Sequence, residues 1–373
     1  MGASLTLPSS LTLANVMEKW ATKAGFPVIS VTRNYVTEKV ILEQFLFPPH
    51  TPKGTPITWN VPIFWTTEKE PNKAPLHWLL PTVPDTNQIN LPSVTKEQWL
   101  LVNKDQAGFY RVNYDQKNWQ LLSKSFLKLT TSSRAMLLDD ALNLARGGRL
   151  DYVTALDVTE LLPNETKFAP WSAALNGFSF LYDRLSNEAE SREVIEKYIL
   201  EKLTYIYVSI DGFEIKVGET HDRLLMKQLI LHWACRVGHK ACIQKAVDLF
   251  NSLTPSTNTI KPDVRRVSIK SDVRRVSYCT GIKKGRNVDF NLLKARYTTS
   301  TNPDNPRIVY GLGCSTDTDT LRKYLEDSVT IPTIPTQINI IGRQVFTAVC
   351  QNPIGIQLAL DFLTHQWHQA SNV

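Results

Sequence analysis

The sequence predicts a multidomain chain that is β first and α afterwards: a small β-sandwich followed by an all-α helical superhelix of antiparallel helix pairs. Two observations carry that prediction. Across Trp99–Trp119, WLLVNKDQAGFYRVNYDQKNW, the hydrophobic period changes from about 2 residues to about 3.6, as it must where strands give way to helices. Before that joint the breaks between apolar runs hold prolines, and after it they hold helix-capping Asp and Ser residues and terminal Gly.

Taken in order, residues 1–23 contain Val16, Met17 and Trp20 at the spacing of one short helix. Residues 24–103 read as the sandwich. Its strands are expected at Val28–Val31, Val40–Phe47, Ile57–Trp65, Trp78–Leu80 and Trp99–Val102, with Pro48-Pro49 and Pro84-Asp85 in the breaks. With Phe109–Tyr114 this makes six or seven strands, enough for a small sandwich. Asp105-Gln106-Ala107-Gly108 ends in the residue that best tolerates positive φ, so the last two strands are expected to fold back as a hairpin.

Residues 104–373 read as the helical domain. Asp115 stands where an N-cap belongs, ahead of Trp119, Leu122, Phe126 and Leu129 at helical spacing. Ser133 is expected to cap a run through Ala135, Leu138, Leu142 and Ala145 that stops at Gly147-Gly148. Asp151 opens the next helix, and Pro170 with Trp171 starts another. No clean period of about 30 to 45 residues is visible, so a regular repeat array is excluded.

At 373 residues and 42% hydrophobic content the chain has material for two or three cores. No apolar run of about 18 residues predicts a membrane span, and the N-terminus lacks the regions of a signal peptide. Met1-Gly2 with Thr6 matches a myristoylation pattern only formally. Five cysteines are compatible with disulfides or buried thiols. The net charge of +7 is concentrated: residues 261–286 hold nine Lys or Arg against two Asp, also +7. Within them Asp263-Val264-Arg265-Arg266-Val267-Ser268 recurs as Asp272-Val273-Arg274-Arg275-Val276-Ser277, the one internal repeat of the chain. Arg-Arg-Val-Ser resembles a basophilic kinase site, and the basic run suits phosphates. No binding module surrounds it and no aromatics interleave with it, so nucleic acid is not expected as a partner.

Other constellations favour structural readings. His365-x-x-His368 could place two metal ligands on one helix face, but no Cys, Asp or Glu follows closely, and His232 and His239 lie far off in sequence. Asp139 and Asp140 point about 100° apart on a helix, so a cap contact or an ion pair with an Arg is expected rather than a catalytic pair. Trp171, Phe178, Phe180, Leu181 and Leu185 read as core rather than as a ligand groove. No Ser-His-Asp signature and no phosphate-binding Gly loop is present.

The wording of the joint closely resembles the start of the helical region in the aminopeptidase N family of zinc metallopeptidases, especially insect midgut members. Met17-Glu18-Lys19-Trp20 with Gly25-Phe26-Pro27-Val28 is similar to the end of that family's catalytic domain. Ser133–Asp140, Leu162-Pro163-Asn164-Glu165-Thr166, Pro170-Trp171, Tyr278-Cys279-Thr280-Gly281 and Asp361-Phe362-Leu363 with Trp367 are similar to its helical domain in the same order. The family's His-Glu-x-x-His zinc helix and Gly-x-Met-Glu-Asn motif are missing: no His is followed by Glu, and the only Met-Glu pair precedes Lys19. The resemblance therefore implies a C-terminal portion with no catalytic and no metal-ligating residue of its own, inactive alone, and no cofactor here although the full-length family enzyme uses zinc. It implies an upstream catalytic domain as partner, peptides as substrates trimmed from the N-terminus, and a place at the outer face of the plasma membrane. A dimer is compatible with it. Family members continue through further helices, so the helical domain is expected to be incomplete at its end.

The resemblance also implies disulfides Cys235–Cys242 and Cys279–Cys314, with Cys350 free. Seven residues of unbroken helix would separate the first pair by roughly 10 Å, so Gly238 is expected to break the helix between them. Asn164-Glu165-Thr166 is an N-glycosylation acceptor in an expected turn, in keeping with an oxidising compartment. The implied role is to cap and shape a peptidase cavity. A stand-alone scaffold using the concave helical face is the competing one.

Overall fold

The computed structural model describes residues 6–47, 57–91, 94–185, 188–252, 271–285, 287–297, 303–330 and 335–365. It divides into two compact units, Met1–Ser179 and Phe180–Val373. Pro48-Pro49, the first copy of the tandem repeat, Trp367 and His368 lie outside the described residues.

In the first unit, helix α1 (Leu13–Thr22) begins at Thr12, whose hydroxyl accepts from the Asn15 amide, and it buries Val16 against Trp78 and Leu80. The strands are β1 (Phe26–Asn34), β2 (Lys39–Phe47), β3 (Val61–Thr67), β4 (Leu76–Leu79), β5 (Gln88–Asn90), β6 (Leu100–Val102) and β7 (Arg111–Tyr114). They form a four-stranded sheet in the order β5-β2-β1-β7 and a three-stranded sheet in the order β4-β3-β6. β1 pairs antiparallel with β2, Phe26 opposite Phe47, and parallel with β7, Val28 opposite Arg111. β5 is the strand the sequence reading lacked, because three residues are too few to show an alternation. β7 belongs to the first sheet although it lies beyond residue 103.

The expected hairpin is not formed. β6 pairs with β3, whereas β7 pairs with β1, so the chain crosses from one sheet to the other between Val102 and Arg111. The physical reason lies in the turn: Asn103, Asp105 and Gln106 take φ of 60°, 57° and 58°, and Gly108 is not among the residues of positive φ. Gly108 is needed for space instead, since a Cβ there would stand 2.2 Å from the Tyr110 ring. Such a corner redirects the strand rather than reversing it beside itself.

Helix α2 (Gln116–Lys124) is capped by Asp115, as expected, and Trp119, Leu122, Phe126 and Leu129 are buried. α3 (Thr131–Arg146) is capped by Thr130 rather than Ser133. The Ser133 amide donates to the Thr130 hydroxyl, and the Ser133 hydroxyl accepts from the Asp105 amide at 3.1 Å, tying α3 to the corner. α4 (Tyr152–Thr159) starts at Asp151. α5 (Phe168–Leu185) begins two residues before Pro170, which sits in the first turn where a missing N–H costs nothing.

After Tyr114 the described residues hold helices and no strand. The second unit contains α6 (Ala189–Ser209), α7 (His221–Arg236), α8 (Lys240–Asn251), α9 (Ser271–Lys284), α10 (Asn287–Lys294), α11 (Asn305–Leu312), α12 (Thr318–Thr330), α13 (Pro335–Cys350) and α14 (Pro353–His365). Packing is mostly local, α6 on α7, α8 on α9, α9 on α11 and α12 on α13 and α14. Ile199, Leu203, Ile230, Leu231, Phe250, Leu312, Leu325 and Val349 fill its core. α8 and α9 approach closely because Gly281 leaves room for Phe250, whose ring a Cβ would meet at 2.2 Å.

Candidate functional site

The joint resolves into buried polar side chains that take over backbone hydrogen bonding. β6 is the outer strand of its sheet, and its free edge would otherwise present unpaired N–H and C=O groups. The Asn118 amide on α2 accepts from the Leu100 amide at 3.0 Å and donates to the Leu100 carbonyl at 2.8 Å. Two residues on, the Tyr114 hydroxyl accepts from the Val102 amide at 2.9 Å and donates to its carbonyl at 3.2 Å. One side chain from α2 and one from the other sheet thus stand in for a missing strand. At the corner, the fully buried Asn103 amide donates to the Gly108 and Tyr110 carbonyls, both at 3.0 Å, and accepts from the Gly108 amide at 2.8 Å.

The cap residue has a second task. Asp115 accepts from the Asn118 amide at 2.9 Å, from the Arg33 amide at 3.1 Å and from the Tyr35 hydroxyl at 2.7 Å. The buried Arg33 guanidinium reaches the Gln98 carbonyl at 2.6 Å and Asn118 Oδ1 at 3.1 Å, and its burial lowers its pKa. Sequence reasoning missed Asn103, Asn118 and Tyr114. Asn118 falls next to Trp119 and one turn before Leu122, on the stripe that had to be buried, and a polar residue in that phase was the available signal.

Asp139 and Asp140 form an ion pair with an arginine, as expected. Arg111 Nη1 lies 2.5 Å from Asp139 and 3.0 Å from Asp140, and Asp140 also accepts from the Val112 amide at 2.9 Å. Burial pushes the Asp140 carboxyl up to about 7, against the opposing pull of Arg111 and the Val112 amide. Both carboxylates are engaged in holding α3 to β7. The two carboxylates converge on one guanidinium nitrogen.

In the second unit, Cys235 and Cys242 are bridged with Cα atoms 5.2 Å apart, and Cys279 with Cys314 likewise at 5.2 Å. α7 ends at Arg236 and α8 starts at Lys240, with Gly238 at φ 92° between them, so the first bridge pins a corner between two helices. His239 caps α8, its Nδ1 accepting from the Cys242 amide at 3.2 Å. Cys350 is unbridged and half-buried. Asn164 ends a short 3-10 turn, Leu162–Asn164, with Asn164 and Thr166 exposed. Between them Glu165 is buried and bonds Arg134 at 2.5 and 3.1 Å. The acceptor site is presented outward by an inward-facing anchor.

Among the described residues the histidines take up separate structural roles. His365 is exposed, with its Nδ1 2.7 Å from the Asp361 carbonyl. Burial, helped by Arg236 and Arg275, pushes His232 down to about 3, which keeps it neutral. Trp171 and Phe178 are fully buried in the core, while Phe180, Leu181 and Leu185 are half-buried. Among the described residues no three His, Cys, Asp or Glu side chains converge as a metal site would require. Among the same residues no helix is long and apolar enough to cross a membrane.

Comparison with known proteins places this architecture. Residues 99–373, beginning at the first residue of the joint, match the family described as the ERAP1-like C-terminal domain. The chain is 30% identical over 361 residues to aminopeptidase N of Plutella xylostella, covering 94% of this chain and 37% of that protein. It is 28% identical over 378 residues to aminopeptidase Ey of Gallus gallus, with 98% and 37% covered. Identity is also 28% over 364 residues of the membrane alanyl aminopeptidase of Manduca sexta, with 95% and 35% covered. The chain thus spans a little over a third of the length of the curated relatives it matches. A match across the whole helical region, together with relatives aligned along nearly all of the chain, makes this chain a member of the aminopeptidase family that carries the ERAP1-like C-terminal domain, corresponding to its C-terminal portion.

Proposed function

We propose that this chain is the non-catalytic C-terminal region of an aminopeptidase N-like zinc metallopeptidase, where it caps and shapes the cavity in which peptides lose N-terminal residues. The observation that carries this reading is the family match over residues 99–373, from the joint onward. The joint itself supports it, because its carboxylates and amides are occupied in holding sheets to helices. In this reading residues 1–23 belong to the end of a catalytic domain, 24–103 form the spacer and 104–373 form the lid. Zinc and peptide chemistry reside in the upstream catalytic domain, which is the partner of this chain. The two bridges and the exposed Asn164 fit the outer face of a plasma membrane, an oxidising setting.

Complementation tests the reading. The upstream portion of the Plutella xylostella relative, expressed with and without this chain, is assayed on a short aminoacyl chromogen and on a series of longer peptides. A cavity-shaping role predicts that adding the chain changes the ratio of kcat/KM between long and short substrates. Identical ratios with and without it would overturn the role and leave the scaffold reading standing.

A further inference from the structure

Helices α6, α7 and α9 bring together five cations that the lid reading does not use: Arg192, Arg236, Arg275, Lys283 and Lys284. Two carboxylates face them, Asp183 at 2.9 Å from Arg236 and Glu196 at 3.8 Å from Arg192. In ion-pair contact, five positive charges thus meet two negative ones, an excess of three. Arg275 and Lys283 are exposed, and among the described residues neither has a carboxylate within ion-pair distance.

The guanidinium groups are held in place by rings. Arg236 lies 4.3 Å from the Tyr182 ring centroid and 5.1 Å from that of Trp233, and Arg275 lies 3.8 Å from that of Tyr310. A guanidinium stacked on an aromatic face keeps its N–H edge in a fixed plane, so little further ordering is needed to bind an oxyanion. The two arginines are close enough that the charges of both act on His232 and Tyr310. Lys283 is reached by solvent, yet its pKa is lowered, chiefly by burial among the surrounding helices and against the attraction of Glu196.

We propose that this cluster is a binding site for a multivalent oxyanion of the phosphate or sulfate class. An excess of three positive charges favours such an ion over a monocarboxylate, which would leave two of them unmatched. The second copy of the tandem repeat then has a specific use. On α9 its Val273, Val276 and Ser277 are buried and Arg274 pairs with Asp304 at 3.4 Å, while Arg275 is the residue turned to solvent over Tyr310.

Isothermal titration of the intact, oxidised chain with pyrophosphate, with sulfate and with acetate at low ionic strength tests the site. Saturable one-to-one binding of pyrophosphate or sulfate is expected, weakened at least tenfold in Arg275→Gln and in Lys283→Gln and unchanged in Lys117→Gln, a cation of the first unit. Lys283→Gln removes an exposed charge without touching a ring, so it reports even if Arg275→Gln loses stability in a thermal melt. The proposal is overturned if neither multivalent ion saturates, if Lys283→Gln binds as tightly as the parent, or if acetate displaces pyrophosphate at equal concentration.

Discussion

Replacing Asn103 by Ala should unhinge the corner between the two sheets. The side chain is fully buried and makes three hydrogen bonds of 2.8 to 3.0 Å, two to carbonyls and one from an amide of the same turn. At about 1 kcal/mol net for each neutral bond, their loss costs about 3 kcal/mol. The backbone sits at φ 60°, a region that Asn tolerates and Ala does not, which adds about 1 kcal/mol. The total of about 4 kcal/mol is a large part of the 5 to 15 kcal/mol that typically holds a domain folded. Asn103→Gly keeps the left-handed geometry free of strain and should lose only the bonds, about 3 kcal/mol. Urea unfolding followed by tryptophan fluorescence, with both disulfides intact, measures both values. An Ala variant within about 0.5 kcal/mol of the parent, or a Gly variant less stable than the Ala one, would refute the argument.

Three further outcomes follow from the same geometry. Because the folded-state pKa of Asp140 is raised from 3.8 to about 7, the stability it contributes is full below pH 3.8 and is lost as pH rises through 7. The Tm of Asp140→Asn should therefore gain on the parent between pH 4 and 7.5, and a constant difference would contradict the burial argument. Opening the Cys279–Cys314 bridge by Cys279→Ser, with a sequence separation of 35, should cost about 4 kcal/mol by chain entropy, against about 2 kcal/mol for Cys235→Ser with a separation of 7. Equilibrium denaturation that ranks the two the other way would remove loop length as the explanation. Secretory expression should give a glycan at Asn164 that an endoglycosidase removes and Asn164→Gln lacks, and identical gel mobility of parent and variant speaks against it.

The β-to-α order was legible because it rests on hydrophobic period, a local property that packing rarely overrules. The Asp115 and Asp151 caps were legible for the same reason, each needing only its own side chain and the next turn. The crossing at Asn103 was not legible. Asp105 to Gly108 carries the composition of a hairpin turn, and only the distant partners, β3 for β6 and β1 for β7, decide between reversal and crossing. Ser133 was misplaced as a cap because Thr130 offers the same hydroxyl three residues earlier, and the choice depends on Asp105 arriving from another element. The edge-covering roles of Asn118 and Tyr114 are likewise long-range, since a sequence shows a polar residue in a buried phase but not the strand it completes. The cation cluster on α6, α7 and α9 is the extreme case. Its members are scattered from Arg192 to Lys284, and the basic run around the tandem repeat holds only three of the five.

In the proposed role this chain frames an aminopeptidase site that the upstream domain supplies. Its most direct test is to incubate the purified, oxidised chain with zinc and a chromogenic aminoacyl substrate, alongside an intact relative. The account predicts no turnover above the metal-only blank, and chelator-sensitive hydrolysis by this chain alone would contradict it.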